Sequence, residues 1–218
     1  MVAAPLRQFA GARRRLIEEL QGKGIADLAV LKAFDDVPRH LFVPSGVQHR
    51  AYEDAPLPIG HAQTISQPWV HAKYLELLAL TGRERVLEIG TGSGFQTALL
   101  TRLASQVFSI ERIPALAEEA RAALGACGIA HVVQRVGDGT LGWPEHGPYD
   151  AILVGAASPD VPQPLVDQLA VGGQLLVPVG GRDEQVLLRV RRTETGMTRT
   201  RLDAMRFVPL IGAHGFSS

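Results

Sequence analysis

The chain has 218 residues, 22 Lys plus Arg against 22 Asp plus Glu, a single cysteine and seven histidines. That length fits one α/β domain with additions, able to bury roughly 70–75% of its unfolded surface without a disulfide staple. Cys127 alone excludes an internal disulfide or a multi-cysteine site, the histidines (40, 49, 61, 71, 131, 146, 214) lack paired zinc-ligand spacing, and the balanced charge argues against nucleic acid or a membrane surface as partner, so no metal and no nucleic acid are expected.

The chain opens with a helical region. One helix is predicted over Leu6–Gln21, with Leu16, Ile17 and Leu20 on its buried face and Gly22 and Gly24 as its stop. The triplet Arg13-Arg14-Arg15 follows no continuous apolar segment and so does not read as a secretory signal. With no apolar run near the ~20 residues of a membrane span, a cytoplasmic location is expected. A second helix starts at the N-cap Asp27 and runs through Leu28, Leu31 and Phe34 to the Val37-Pro38 break, followed by a short turn over Arg39–Phe42. Tyr52–Gln67, with Pro56, Pro58 and Gly60, reads as a loop long enough to be functional.

Pro68–Leu80 is predicted as a helix leading into a sheet. Strands then alternate with helices as a parallel sheet requires: strands at Arg85–Ile89, Gln106–Ile110, His131–Arg135, Ala151–Val154 and Gly173–Val177, helices at Gly94–Ala104, Pro114–Leu124 and Pro164–Leu169. Val186–Arg192 and Met197–Phe207 read as a final antiparallel hairpin around Glu194-Thr195-Gly196. Its surroundings are basic (Arg182, Arg189, Arg191, Arg192, Arg199, Arg201, Arg206), either a solvated strand face or an attractor of acidic polypeptides. The expected fold is therefore α/β: a doubly wound, mostly parallel sheet with an N-terminal helical addition and a C-terminal antiparallel hairpin. The chain divides as one domain over 1–218, with helices and loop at 1–67, a core at 68–181 and the hairpin region at 182–218. With no apolar surface stripe to spare, a monomer is expected.

Chemistry concentrates at the strand ends. Val86-Leu87-Glu88-Ile89 runs into Gly90-Thr91-Gly92-Ser93-Gly94, where backbone N–H groups can approach a nucleotide-like ligand. A dinucleotide fingerprint would want glycine at position 95, which is Phe, so the run resembles the first motif of S-adenosylmethionine (AdoMet) methyltransferases. Glu111 follows the next strand and can accept from two ribose hydroxyls. Asp138, between Gly137 and Gly139, can reach an adenine amine. Val154-Gly155-Ala156-Ala157 leaves room for a methionine tail. A nicotinamide enzyme is the rival for such a sheet.

Upstream and downstream runs narrow this further. Val37-Pro38-Arg39-His40, Phe42-Val43-Pro44, Ala55-Pro56-Leu57-Pro58-Ile59-Gly60 and Gln63-Thr64-Ile65-Ser66-Gln67-Pro68 occur in order before the glycine loop. Gly142-Trp143-Pro144, Pro178-Val179-Gly180 and Arg206-Phe207-Val208-Pro209-Leu210 follow it. This series resembles the protein-L-isoaspartate O-methyltransferase family over nearly the whole chain. The resemblance implies an enzyme that methylates, from AdoMet, the α-carboxyl of L-isoaspartyl residues in damaged proteins and peptides; a carboxyl methyltransferase acting on another peptide or a small molecule is the alternative. It implies Ser66 as the active-site hydroxyl. Thr64, Ile65 and His71 would lie near the cofactor with Glu88, Gly90, Gly92, Gly94, Glu111, Asp138 and Gly139. Ile59, Val208 and Leu210 would join Ser66 on the substrate side. Two local readings compete with these roles: Ser66 as the N-cap of the following helix, and Trp143 as packing. His61-Ala62 departs from the family pattern, where glycine is usual at one or both positions.

Overall fold

The computed structural model describes residues 8–217. Two helices come first, α1 (Ala10–Gly22) and α2 (Leu28–Asp36). The predicted start of the first helix at Leu6 lies outside the described residues; Leu16 and Leu20 are buried and Ile17 packs against them, as expected. Asp27 caps α2, its Oδ1 accepting from Ala29 N at 2.8 Å and Val30 N at 3.2 Å. Two 3-10 turns over Arg39–Phe42 and Ser45–Arg50 follow.

The segment expected to be loop contains a hairpin, β1 (Leu57–Gly60) against β2 (Gln63–Ile65). Its alternation is hidden in sequence because Pro58 and Gly60 occupy the exposed positions of β1. The turn between the strands is His61-Ala62, with φ of 51° and 55°. Positive φ at both central positions matches the right-handed twist of paired strands and is the geometry for which glycine is selected.

Helix α3 (Pro68–Leu78) then leads to the main sheet: β3 (Arg85–Ile89), β4 (Gln106–Glu111), β5 (Val133–Val136), β6 (Tyr149–Val154), β7 (Leu169–Gly180), β8 (Gln185–Thr193) and β9 (Gly196–Met205), in spatial order 5-4-3-6-7-8-9. The first five of these pair in parallel and β8 and β9 antiparallel. The connecting helices are α4 (Phe95–Leu100), α5 (Pro114–Ala126) and α6 (Gln163–Asp167). The chain reverses its direction of winding between β3 and β6, so the ligand crevice belongs at their carboxyl ends. Strand β7 is longer than predicted because pairing already begins at Leu169, before the Gly172-Gly173 break. Beyond β9, residues 207–211 form isolated bridges and no strand: Ala157 N donates to Val208 O at 2.8 Å and Leu210 N to Ala157 O at 2.7 Å, and Pro209 between them has no N–H to extend a ladder.

The sheet is covered on both faces. One apolar cluster joins Leu16, Leu20, Phe34, Phe42 and Leu75 of the N-terminal region to Val86, Leu99 and Val107. The other packs Leu87, Phe108, Ile152, Leu165 and Leu175. Phe95 is the hub of the first, touching Phe34 and Phe42 at 5.7 Å and His71 at 5.4 Å between ring centroids. This anchors the N-terminal region to the start of α4. It also explains why position 95 carries an aromatic ring: it plugs the core where a dinucleotide fold would bring helix and strand together.

Inside this layer lies Glu88, fully buried. Its Oε2 accepts from the hydroxyls of Thr97 and, at 2.6 Å, Ser109, which itself accepts from Thr91 at 2.6 Å. These bonds tie β3, β4, α4 and the glycine loop together. Burial pushes the Glu88 carboxyl up to about 8 against the pull of those hydroxyls, and the charge of Glu111 adds to the rise.

Two expectations follow. An L-residue in the left-handed region costs on the order of 1 kcal/mol, and glycine removes it at a smaller entropic cost in the unfolded chain. Ala62→Gly should therefore stabilise the fold by about 0.5–1 kcal/mol in urea denaturation; a loss of stability would mean that the turn is not strained. For Glu88, a folded pKa above the unfolded value makes its contribution complete below about pH 4.5 and lost as pH rises through about 8. The stability of the wild-type chain relative to Glu88→Gln should fall between pH 5 and 8 by up to about 1.4 kcal/mol per unit. A difference independent of pH would show Glu88 already ionised at pH 5.

Candidate active site

One cavity lies at the carboxyl ends of β3 and β6. It measures about 1090 Å³ with its open mouth and is walled by the β2 hairpin strand, the start of α3, the glycine loop and the 207–211 segment. Of the residues singled out by sequence, Thr64, Ile65, Ser66, His71, Glu88, Gly90, Gly92, Glu111, Gly139, Val208 and Leu210 line it.

Ser66 sits where β2 hands over to α3. The N-cap of α3 is Gln67, which makes no side-chain cap bond. The cap comes from Asp54 instead, whose Oδ1 accepts from Trp69 N at 2.8 Å while Oδ2 accepts from Gln67 Nε2 at 2.9 Å and Lys23 Nζ at 2.6 Å. Burial alone would raise the Asp54 pKa, but the bonds from Lys23, Gln67 and Trp69 N hold it below the usual carboxylate value. The capping role open to Ser66 is thus taken. Its hydroxyl has no hydrogen-bond partner among the described residues, and Ser66 lines the cavity.

The glycine loop is held from its rim by Glu111, whose Oε2 accepts from Gly92 N and Oε1 from Ile113 N, both at 2.9 Å. Each oxygen keeps a lone pair for another donor. Gly94 lies behind the wall: at φ +85° a Cβ there would press on Ala120 Cβ at 3.2 Å, so its absence lets α4 and α5 close up. At Gly139 a Cβ would stand 2.4 Å from Ile89 Cγ2, so only glycine brings this loop to the cavity.

Two further residues singled out by sequence, Asp138 and Ile59, are not on the cavity wall. Asp138, next to the cavity-lining Gly139, accepts at Oδ1 from Thr140 N at 2.8 Å and at Oδ2 from Ala213 N at 2.7 Å. It clamps the C-terminal segment. Ile59 is 5% exposed and packs in the core behind Gly92, since alternation along β1 turns it inward with Leu57. Trp143 packs edge-on against Phe108 at 6.2 Å, away from the cavity.

His71 and Gln96 form a polar corner on the cavity wall, with His71 Nδ1 bonded to Gln96 Oε1. Burial, then the nearby charge of Arg39, lowers the His71 pKa to about 3, so the ring is neutral. His71 Nε2, Gln96 Nε2 and Glu88 Oε1 are shielded from solvent without a protein partner. A polar corner of this kind on the cavity wall suits a ligand with a zwitterionic end. Ile110, Ile113 and Leu116 give the same cavity an apolar stretch, as an adenine ring needs. AdoMet combines both features.

Sequence reasoning passed over Asp54, Gln96, Arg39 and the Thr97–Ser109 pair. Ser109 did carry a signal: it interrupts the apolar run of Val107, Phe108 and Ile110 in β4, and it pairs in register with Glu88. Asp54 carried none, and Arg39 stood in the Val37-Pro38-Arg39-His40 run with nothing local to show its role, since their partners lie 15 and 27 residues away.

Comparison with known proteins agrees with this geometry. The family model for protein-L-isoaspartate(D-aspartate) O-methyltransferase (PCMT) matches residues 11–215. The chain is 50% identical over 214 residues to the protein-L-isoaspartate O-methyltransferase of Syntrophus aciditrophicus, covering 96% of this chain and 98% of that one. It is 52% identical over 209 residues to protein-L-isoaspartate O-methyltransferase 1 of Syntrophobacter fumaroxidans, covering 95% and 98%. A solved protein-L-isoaspartate O-methyltransferase superposes with a TM-score of 0.85 at 30% identity, over 93% of this chain and 67% of that one. A Plasmodium falciparum protein assigned to the same class and crystallised with S-adenosyl-L-homocysteine gives 0.78 at 27% identity, over 91% and 98%. Together with the cavity, these matches place the chain in the protein-L-isoaspartate(D-aspartate) O-methyltransferase family.

Proposed function

We infer that this chain methylates, with AdoMet as donor, the α-carboxyl of L-isoaspartyl residues in damaged proteins and peptides, the step that starts their repair. AdoMet, when bound, supplies an electrophilic methyl group on a sulfonium. The other reactant needs no activation: an α-carboxyl with a pKa of about 3.5 is ionised at neutral pH, so no general base is required. The neutral His71 and the raised Glu88 are accordingly read as binding groups. The chain's task is alignment of carboxylate oxygen, methyl carbon and sulfur, and such positioning is worth up to ~7–11 kcal/mol.

The roles divide as follows. Ser66 donates one hydrogen bond to the acceptor carboxylate, orienting the anion without pairing it to a full charge at contact. Thr64, Ile65, Gly90, Gly92, Glu111 and Gly139 hold the donor, with Glu111 offered to its ribose and His71, Gln96 and Glu88 to its methionine end. Val208 and Leu210 face the acceptor, and the hairpin and the 207–211 segment offer it backbone groups. Such contacts suit an enzyme that must accept many damaged sequences. The anion held at Ser66 loses its charge in the transfer, so a site shielded from water favours reaction. The observation that carries this reading is the unbonded hydroxyl of Ser66, a residue lining a cavity suited to AdoMet.

We propose further that residues 1–218 act as one domain and as a cytoplasmic monomer that binds no nucleic acid. Supporting this, the N-terminal helices share a core with the sheet, and the large exposed apolar side chains (Leu28, Val133, Val136, Leu141, Val171, Met197) sit singly or in pairs on different elements. No helix among the described residues is long and apolar enough to cross a membrane.

The test uses labelled AdoMet with an isoaspartyl peptide and its normal aspartyl twin. Label should pass to the first only; equal labelling, or none, contradicts the acceptor assignment. Ser66→Ala should bind AdoMet normally and lose about 10–100-fold in turnover, the worth of one hydrogen bond to a charged group. Turnover within twofold of wild type removes Ser66 from the mechanism.

A further inference from the structure

Behind Ser66 lies a cation that the reaction as described does not use. Arg39 stands in the turn after Pro38 and is 1% exposed. Its Nη2 donates to the Ser66 carbonyl at 2.9 Å, and its guanidinium lies 4.8 Å over the centre of the Phe95 ring. Nε and Nη1 are buried with no acceptor among the described residues. Asp54 and Tyr52, the acidic groups that act on it, do so through space alone. Asp54 spends its oxygens on Lys23, Gln67 and Trp69 N. Burial lowers the Arg39 pKa to about 9, which still leaves it charged at neutral pH.

A buried guanidinium without a paired carboxylate costs several kcal/mol. Folds rarely carry that cost without a compensating anion, and the acceptor carboxylate proposed at Ser66 is one. We propose that Arg39 is a positioning residue for the acceptor: it fixes the Ser66 backbone and sets a positive charge behind the serine, so that the site selects and orients a carboxylate. This rests on the acceptor reading above. The arrangement separates two needs. A bidentate arginine in contact would hold the anion strongly and blunt its attack. A charge set behind the serine still attracts through a poorly screened interior, while only the weak hydroxyl touches the nucleophile. Burial, with the same charge adding to it, keeps His71 neutral, so the corner it shares with Gln96 offers no second cation to compete for the acceptor.

The test compares Arg39→Gln, which keeps a donor for the Ser66 carbonyl but no charge, with Arg39→Lys, which keeps the charge. Peptide KM, kcat and AdoMet affinity are measured in the full chain. R39Q should raise peptide KM about tenfold or more, with AdoMet affinity within about twofold of wild type, and R39K should recover most of the loss. A purely structural arginine would make both variants alike, or weaken AdoMet and peptide together; either result overturns the proposal, as does an unchanged KM in R39Q. Should R39Q not fold, acetate and acetamide are compared as inhibitors of wild type and R39K. Competition with peptide by acetate alone supports a site charged for carboxylates, and equal or absent inhibition by the two overturns it. Wild-type chain that transfers no methyl to the isoaspartyl peptide overturns the acceptor reading itself, whereas active wild type with R39Q behaving identically overturns only the role of Arg39.

Discussion

The availability of Ser66 depends on who caps α3. A serine two residues before a helix-opening proline would ordinarily spend its hydroxyl on the orphan N–H groups of the first turn. Here Asp54 reaches in from the preceding segment and takes Trp69 N, while its second oxygen holds Gln67 and Lys23. The cap is thus supplied from outside the helix. Ser66 is held by its carbonyl, through Arg39, and its hydroxyl is left for the cavity. Stability and chemistry are carried by different groups of the same short stretch.

A similar division runs through the donor side. Two carboxylates flank the glycine loop and sit in different environments. Glu88 lies beneath it, wholly buried and bonded to hydroxyls, and burial favours its protonated form. Glu111 lies at the rim and takes the backbone N–H groups of Gly92 and Ile113. The buried acid fastens the loop to the sheet and to α4. The rim acid shapes its outer edge and retains lone pairs for a ligand. Phe95 completes the link, since the residue that follows the loop also packs against Phe34, Phe42 and Arg39 of the N-terminal region.

What sequence reveals here follows the range of the physics. The alternating strands and helices were legible because periodicity is local, and so were the Asp27 cap and the glycine loop. The membership of the cavity wall was largely legible too, because the topology of an open α/β sheet brings Gly90, Glu111, Gly139 and Gly155 to one end. The β1–β2 hairpin was missed, since Pro58 and Gly60 mask its alternation and His61-Ala62 is an unfavoured pair for its turn. The bond from Ala213 N to Asp138 left no trace in sequence, because the two lie 75 residues apart. The roles of Asp54 and Arg39 were invisible for the same reason: a cap or a counter-charge borrowed across the fold leaves no local pattern.

The central claim is that one free hydroxyl, backed by a buried cation, holds an anionic acceptor in line with the donor. The most direct measurement is a crystal structure of the chain with S-adenosyl-L-homocysteine and an isoaspartyl peptide. The account predicts Ser66 Oγ within about 2.5–3.0 Å of the acceptor α-carboxylate, whose free oxygen points toward the homocysteine sulfur. A Ser66 hydroxyl turned back onto the first turn of α3, with the carboxylate gripped elsewhere, would contradict it.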